Sequence, residues 1–167
     1  MAVPVSEQIA VVVKGRLENI STENGYETTV AEVIRPKLDG EFNPKDNELY
    51  LEQGDKGRSF QSDCPGNPEA IAWTLPFSIH GILRPSNDST SAYDTLKNTF
   101  EADVQKALAT NSTGETGDWA QMNNLAITSQ FSGVTNFIAS NGSEVGFEVI
   151  LTVTYRVPVN DPYTVRA

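Results

Sequence analysis

The side chains best suited to chemistry occur once each in this sequence, as one histidine, His80, and one cysteine, Cys64. A histidine transfers protons near neutral pH, and a cysteine becomes a nucleophile when neighbouring cations lower the pKa of its thiol. His80 falls on the polar side of an alternating segment, which favours a solvent-facing or interface side chain. Cys64 lies in the turn sequence Asp-Cys-Pro-Gly, with no basic residue beside it. We therefore expect no catalytic residue and no enzymatic activity.

The same scarcity argues against a bound metal or cofactor. One histidine and one cysteine do not provide the three or four ligands of a zinc site. The sequence has no calcium loop of the EF-hand type, no glycine-rich phosphate loop with lysine, no Gly-x-Ser-x-Gly and no His-Glu-x-x-His. The sequence predicts neither a metal site nor a cofactor site.

Carboxylates leave one enzymatic alternative open. The pairs Asp39 with Glu41 and Asp46 with Glu48 suit acid–base work on a glycosidic bond, or a hard cation. However, the chain has 22 acidic against 12 basic residues, so neighbouring acids in loops are expected by composition alone. A small carboxylate-based hydrolase, or a carbohydrate-binding module that stacks sugars on Trp119, remains the alternative from a different functional class.

The net charge of −10 bears on the partners of the protein. Nucleic acids and anionic membranes bind cationic patches, and no basic run occurs in this chain. No stretch approaches the ~18 apolar residues of a membrane span, and the N-terminus lacks the pattern of a signal peptide. We expect a protein made in the cytosol, with no membrane partner and no specific DNA binding. Its length of 167 residues predicts a single domain, 1–167.

Hydrophobic periodicity indicates which elements carry these residues. Helices are predicted at 6–21, with Ser6 as the N-cap, and at 93–110. Strands are predicted at 26–35, 48–52, 70–83, 125–131, 134–139 and 147–157, with a hairpin turn at Asn141-Gly142 and an extended tail over 158–167. Pro76 lacks an amide donor, which predicts an edge position or a bulge in its strand. The order predicts an α+β fold with two helices packed on one face of a mainly antiparallel sheet.

The segment 37–67 is the main anomaly, because it is long, polar and rich in turn-forming residues. We expect a loop or arm insertion that projects from the domain and contacts a neighbouring subunit or another partner in the assembly. The residues proposed for interfaces are Asp39, Glu41, Phe42, Tyr50, Arg58, Phe60, Trp119, Asp161 and Tyr163.

Several short motifs resemble one protein family. A helix runs through LENISTENGY (17–26) towards a strand, and the chain closes with VILTVTYR (149–156) and NDPY (160–163). Between them lie a second helix ending at Ala107-Leu108 and a polar connector before Leu125. This order, outside 37–67, resembles the tail terminator proteins of long-tailed bacteriophages.

The resemblance implies a structural virion protein without catalytic residues. It implies a homohexameric ring on the last ring of the tail tube, where it stops polymerisation and presents a docking surface to head-completion or neck proteins. It also implies assembly in the host cytoplasm, with DNA passing through the lumen without specific binding. A tail-tube or neck connector subunit is the nearest alternative within this class.

Overall fold

The computed structural model describes residues 2–36, 45–58, 70–84, 92–109, 122–138 and 144–165. Within these residues, two α-helices and a six-stranded, mostly antiparallel sheet form an α+β fold, as predicted. The elements in chain order are α1 (Val5–Glu18), β1 (Glu32–Ile34), β2 (Glu48–Gln53), β3 (Gly57–Arg58), β4 (Ala70–Leu83), α2 (Tyr93–Ala109), β5 (Thr128–Ile138) and β6 (Val145–Pro158).

The two longest strands form the centre of the sheet. The strand order is β1-β2-β4-β6-β5, and β3 pairs with β4 beyond the end of β2. β4 and β6 pair antiparallel over their whole lengths, from Ala70 opposite Pro158 to Leu83 opposite Val145. Only β1 and β2 run parallel. β4 has the bounds predicted from its alternation.

One face of this sheet packs against the helices. Its alternate residues Leu75, Phe77 and Ile79 are fully buried, and Phe77 lies opposite the equally buried Leu151. α1 packs on β1, β2 and α2, whereas α2 packs on β4 and β6. The rings of Phe100 in α2 and Phe147 in β6 meet edge to face, with centroids 5.3 Å apart. Both helices therefore cover the same apolar face.

The start of α1 differs from the prediction. The helix begins at Val5, and its N-cap is Pro4, whose carbonyl accepts the amides of Glu7 and Gln8 at 3.0 Å each. Ser6 lies inside the first turn, so it is not the cap, and its side chain hydrogen-bonds Tyr155 instead. The helix ends at Glu18, three residues before the predicted boundary.

The strand predicted at 26–35 is also shorter than expected, because contacts with α2 replace sheet pairing over its first half. The amide and hydroxyl of Thr28 both donate to Asp103, at 2.7 Å each. Lys106 donates to the carbonyl of Gly25 at 2.6 Å, and its ammonium lies 4.6 Å from the centroid of the Tyr26 ring. Only the three residues of β1 pair with the sheet.

Pro76 lies in a central strand, and the register with β6 has no bulge, so that prediction is wrong. The interruption occurs beside β4 instead, between β2 and β3. β2 ends at Gln53, opposite Phe77, and β3 begins at Gly57, opposite Thr74. The amide of Gly54 donates to the carbonyl of Pro76 at 2.9 Å. The missing N–H of proline therefore faces a gap between strands.

The segment 37–67 is not wholly a projecting arm. β2 lies between β1 and β4, and its residues Leu49 and Leu51 belong to the core. The sequence prediction of a short strand here is confirmed, but the expectation that the segment projects is wrong for this part. The flanking residues 37–44 and 59–69 lie outside the described residues.

The strands predicted at 125–131 and 134–139 form one strand, β5, which begins only at Thr128. A register shift between Phe131 and Gly133 bends it without ending its pairing with β6. The turn Asn141-Gly142 lies outside the described residues. The tail is not extended after β6, because the amide of Asp161 donates to the carbonyl of Pro158 at 3.2 Å and closes a turn.

Two glycine-to-alanine changes test how the sheet core is filled. A Cβ at Gly81 would overlap the ring of Phe147, whereas a Cβ at Gly15 in α1 meets nothing within 4 Å. We expect Gly81→Ala to lower the free energy of unfolding by about 1–3 kcal/mol through overpacking. Gly15→Ala should raise it by about 0.5–1 kcal/mol, because alanine loses less backbone entropy in a helix. Urea unfolding measures both, and equal effects would contradict this packing.

Candidate assembly surfaces

The second face of the sheet is polar, and none of the described helices covers it. Side chains alternate along a strand, so the residues between the core positions point to this side. Its polar members on β1, β2, β4 and β6 are Glu32, Glu48, Tyr50, Glu52, Thr74, Ser78, His80, Glu148, Thr152, Thr154 and Arg156. We call this side the open face.

His80 lies near the middle of the open face, between carboxylates from two neighbouring strands. Its Nε2 atom is 4.0 Å from Oε2 of Glu52 and 4.0 Å from Oε1 of Glu148. Glu148 lies directly opposite on β6, and Tyr50 lies opposite on β2. Because 4.0 Å is longer than a hydrogen bond, these contacts act through charge, and only when the imidazole is protonated.

The β2 side of the open face is strongly acidic. Tyr50 is only 6% exposed. Burial raises the pKa of its phenol, and the carboxylates of Glu48 and Glu32 raise it further, against a smaller opposing effect of Arg84. The buried carboxylate of Glu48 accepts the amide of Lys45 at 2.7 Å. The tyrosine thus experiences the negative potential of its neighbours.

The nearest arginine at this end is already engaged. This residue is Arg84. Its side chain donates to Glu144 at 2.7 Å, and its backbone amide donates to Asp46 at 2.8 Å. The ammonium of Lys45 is 3.8 Å from Glu48. Arg156 adds a cation to the open face, but the carboxylates of Glu32, Glu48, Glu52 and Glu148 outnumber it, so the face retains a negative charge.

Arg58, one of the residues predicted for interfaces, is exposed at the opposite end of β4. Arg58 lies opposite Trp73 in the pairing of β3 with β4. Trp73 is seven residues from His80, which is about 23 Å along β4. Trp73 is partly buried and packs against the core. The ammonium of Lys56 lies 4.9 Å from the centroid of the Trp73 ring and covers it by a cation–π contact.

Asp161 and Tyr163 lie in a turn that ties the end of the chain to α1. The carboxylate of Asp161 accepts the amide of Tyr163 at 3.0 Å, and the carbonyl of Pro162 accepts the amide of Val5 at 3.0 Å. Hydrogen bonds from the Thr164 side chain, and then from the Tyr163 amide, lower the pKa of Asp161. The ring of Tyr163 is 47% exposed.

The residues predicted for interfaces therefore do not form one surface. Tyr50 is buried on the open face, Arg58 is about 23 Å away along β4, and Asp161 with Tyr163 lies beside α1. The remaining predicted residues, Asp39, Glu41, Phe42, Phe60 and Trp119, lie outside the described residues, as does Cys64.

Sequence reasoning missed the carboxylates beside His80. Alternation places Glu52, His80 and Glu148 on polar sides of their strands, and this signal was available. The sequence does not reveal the strand register, which brings them together. In the described part of the chain, no group of three or more His, Cys, Asp or Glu residues is arranged to hold a metal ion.

No family model matches the chain, and no curated protein matches it in sequence. Among the described helices, none is long and apolar enough to cross a membrane. The likeness to tail terminators therefore depends on the short sequence motifs and on the order of the elements.

The terminal turn yields a pH prediction. Hydrogen bonds to a carboxylate favour its charged form, so the turn should be ordered above the ordinary aspartate pKa of about 3.9 and lost as the pH falls through the lower folded value. We expect Asp161→Ala to speed amide exchange at Tyr163 and Val5 at pH 7. The control is Asp55→Ala, which removes an exposed carboxylate elsewhere. Unchanged exchange in Asp161→Ala would contradict a role of this side chain in the turn.

Proposed function

We propose that this protein is a structural subunit of the tail terminator kind, which forms a homohexameric ring at the end of a phage tail tube. In that role it stops tube polymerisation and offers a docking surface to head-completion proteins. The observation that supports the proposal best is the division of the sheet into a helix-covered face and an acidic open face. A ring subunit needs an outer layer and a wall that faces the passage for DNA.

Simple geometry gives the size of that passage. A compact chain of this length has a radius of gyration of about 15 Å and a diameter of roughly 40 Å. Six touching spheres in a ring enclose a hole of about one subunit diameter. A DNA duplex fits through such a hole, and its phosphates then pass close to the wall.

The charge of the open face suits a wall of this kind. Glu52 and Glu148 lie on the open face in the two strands that flank β4. Glu32 extends the same face at the edge of the sheet. Carboxylates repel phosphates over the ~8 Å screening length of physiological salt. We place the open face at the lumen and the helices α1 and α2 at the outside, so that DNA moves through without adhering.

Charge reversal on the open face tests this orientation. We expect the double variant Glu52→Lys, Glu148→Lys to keep its oligomeric mass, because both side chains are partly exposed and neither lies in the core. The ring should then bind duplex DNA, and the affinity should fall steeply with rising salt because lysines release phosphate counterions. A DNA-binding titration at several salt concentrations measures both effects.

The matched control carries the same charge change on the helix side of the subunit. Glu23 and Glu27 are exposed near the end of α1, and Glu23→Lys, Glu27→Lys alters the net charge equally. This control should bind DNA more weakly than the open-face variant. Equal DNA binding by both variants, or tight binding of DNA by the native protein, would contradict a lumen lined by the open face.

A further inference from the structure

β5 forms one edge of the sheet, and no described strand pairs with its outer side. Its second half, Gly133–Ile138, follows the register shift and pairs with β6 in unbroken antiparallel register. Residues 132 to 135 are all exposed. An edge strand of this kind presents a row of backbone donors and acceptors to any strand that approaches.

The composition of β5 is unusual for an edge. Its eleven residues, TSQFSGVTNFI, include no charged residue and no proline, in a chain of which 20% is charged. Exposed edges are normally protected by charges, proline or bulges, which discourage pairing with other chains. β5 has a register shift between Phe131 and Gly133, but its second half has none of these devices. The other edges in the described part of the sheet follow that rule, because β1 carries Glu32 and leads into Pro36, the end of β2 beyond β1 carries Glu52, and β3 carries Arg58.

The described helices make their main contacts on the other strands of the sheet. α1 packs on β1 and β2, and α2 packs on β4 and β6. Val134 lies opposite Val149, whose side chain is fully buried, yet Val134 itself is 41% exposed. Ile127, just before the strand, is 39% exposed. Apolar side chains beside an unprotected edge are a surface that a partner strand would cover.

We infer that the outer edge of β5, over residues 133–135 beyond the register shift, pairs with a strand of a second copy of this chain. The absence of charged residues on β5 favours a second copy of this chain as the partner. Two copies of net charge −10 repel each other, and contact is least costly where the surface carries no charge. β5 supplies such a surface, together with backbone hydrogen bonds and the apolar Val134. This inference deepens the proposed function, since it names the contact through which copies associate.

The symmetry of the assembly determines which strand β5 meets in the next subunit. A cyclic ring repeats a contact between two different surfaces, so in a hexamer β5 meets another strand of the next subunit. If β5 instead meets β5 of its partner, the contact has two-fold symmetry and closes as a dimer. Strand pairing by β5 is common to both cases, and the oligomeric mass separates them.

The test places a lysine on the edge. We expect Val134→Lys to weaken self-association at least tenfold, measured by sedimentation equilibrium at physiological salt, because pairing would bury an ammonium group. Lysine also reduces the net negative charge, which alone would favour association, so a loss reports a local effect. Val134→Thr keeps a neutral β-branched side chain and should preserve association within a few-fold.

The control places the same residue on α1, where Val11 is 57% exposed. Val11→Lys changes the charge equally and should associate like the native chain. Circular dichroism checks that each variant is folded. Hydrogen exchange of the native chain should show the amides of residues 132–138 becoming protected as concentration rises, since only strand pairing covers the backbone in this way.

The outcomes separate the inference from the proposed function. A dimer lost in Val134→Lys supports pairing through β5 and argues against the hexamer. A hexamer that survives Val134→Lys, with unprotected β5 amides, supports the ring and overturns pairing through β5. A native chain that stays monomeric at all concentrations overturns both. Protection of β5 only after a different protein is added overturns the second copy as its partner.

Discussion

The antiparallel pairing of β4 with β6 over fourteen residues each is the constraint on which the rest of the structure depends. A shift of this register by one residue would exchange the two faces, because side chains alternate with a period of two. In the observed register, Phe77 and Leu151 face the helices together, and His80 and Glu148 face away together. The core is apolar and the open face is acidic for the same reason.

The remaining elements are fixed by contacts with this central pair. β2 adds Leu49 and Leu51 to the apolar side and Glu52 to the open face through its own pairing with β4. α2 is held over the pair by the contact of Phe100 with Phe147. It also anchors the chain between α1 and β1 by the bonds from Thr28 to Asp103. A subunit with one helical side and one charged side follows directly from this packing.

Features with local causes were predictable from the sequence, whereas features set by distant contacts were not. The alternation of residues 70–83 gave β4 its bounds, and helical spacing predicted α2 almost to the residue. The length of β1 depends on Asp103, which lies 75 residues after Thr28, and no local pattern shows that bond. The cluster around His80 likewise requires the register of β2, β4 and β6. The sequence analysis predicts Tyr50 at an interface, whereas in the fold its neighbours bury it.

The central claim is that copies of this chain form a ring whose passage is lined by the open face of the sheet. Electron microscopy of the purified protein at physiological salt, with averaging to resolve the subunit layers, tests it most directly. The account predicts a six-fold ring with a central opening, with the sheet towards the opening and α1 and α2 at the perimeter. Single isolated subunits at all concentrations, or a ring with the helices at the opening, would contradict it.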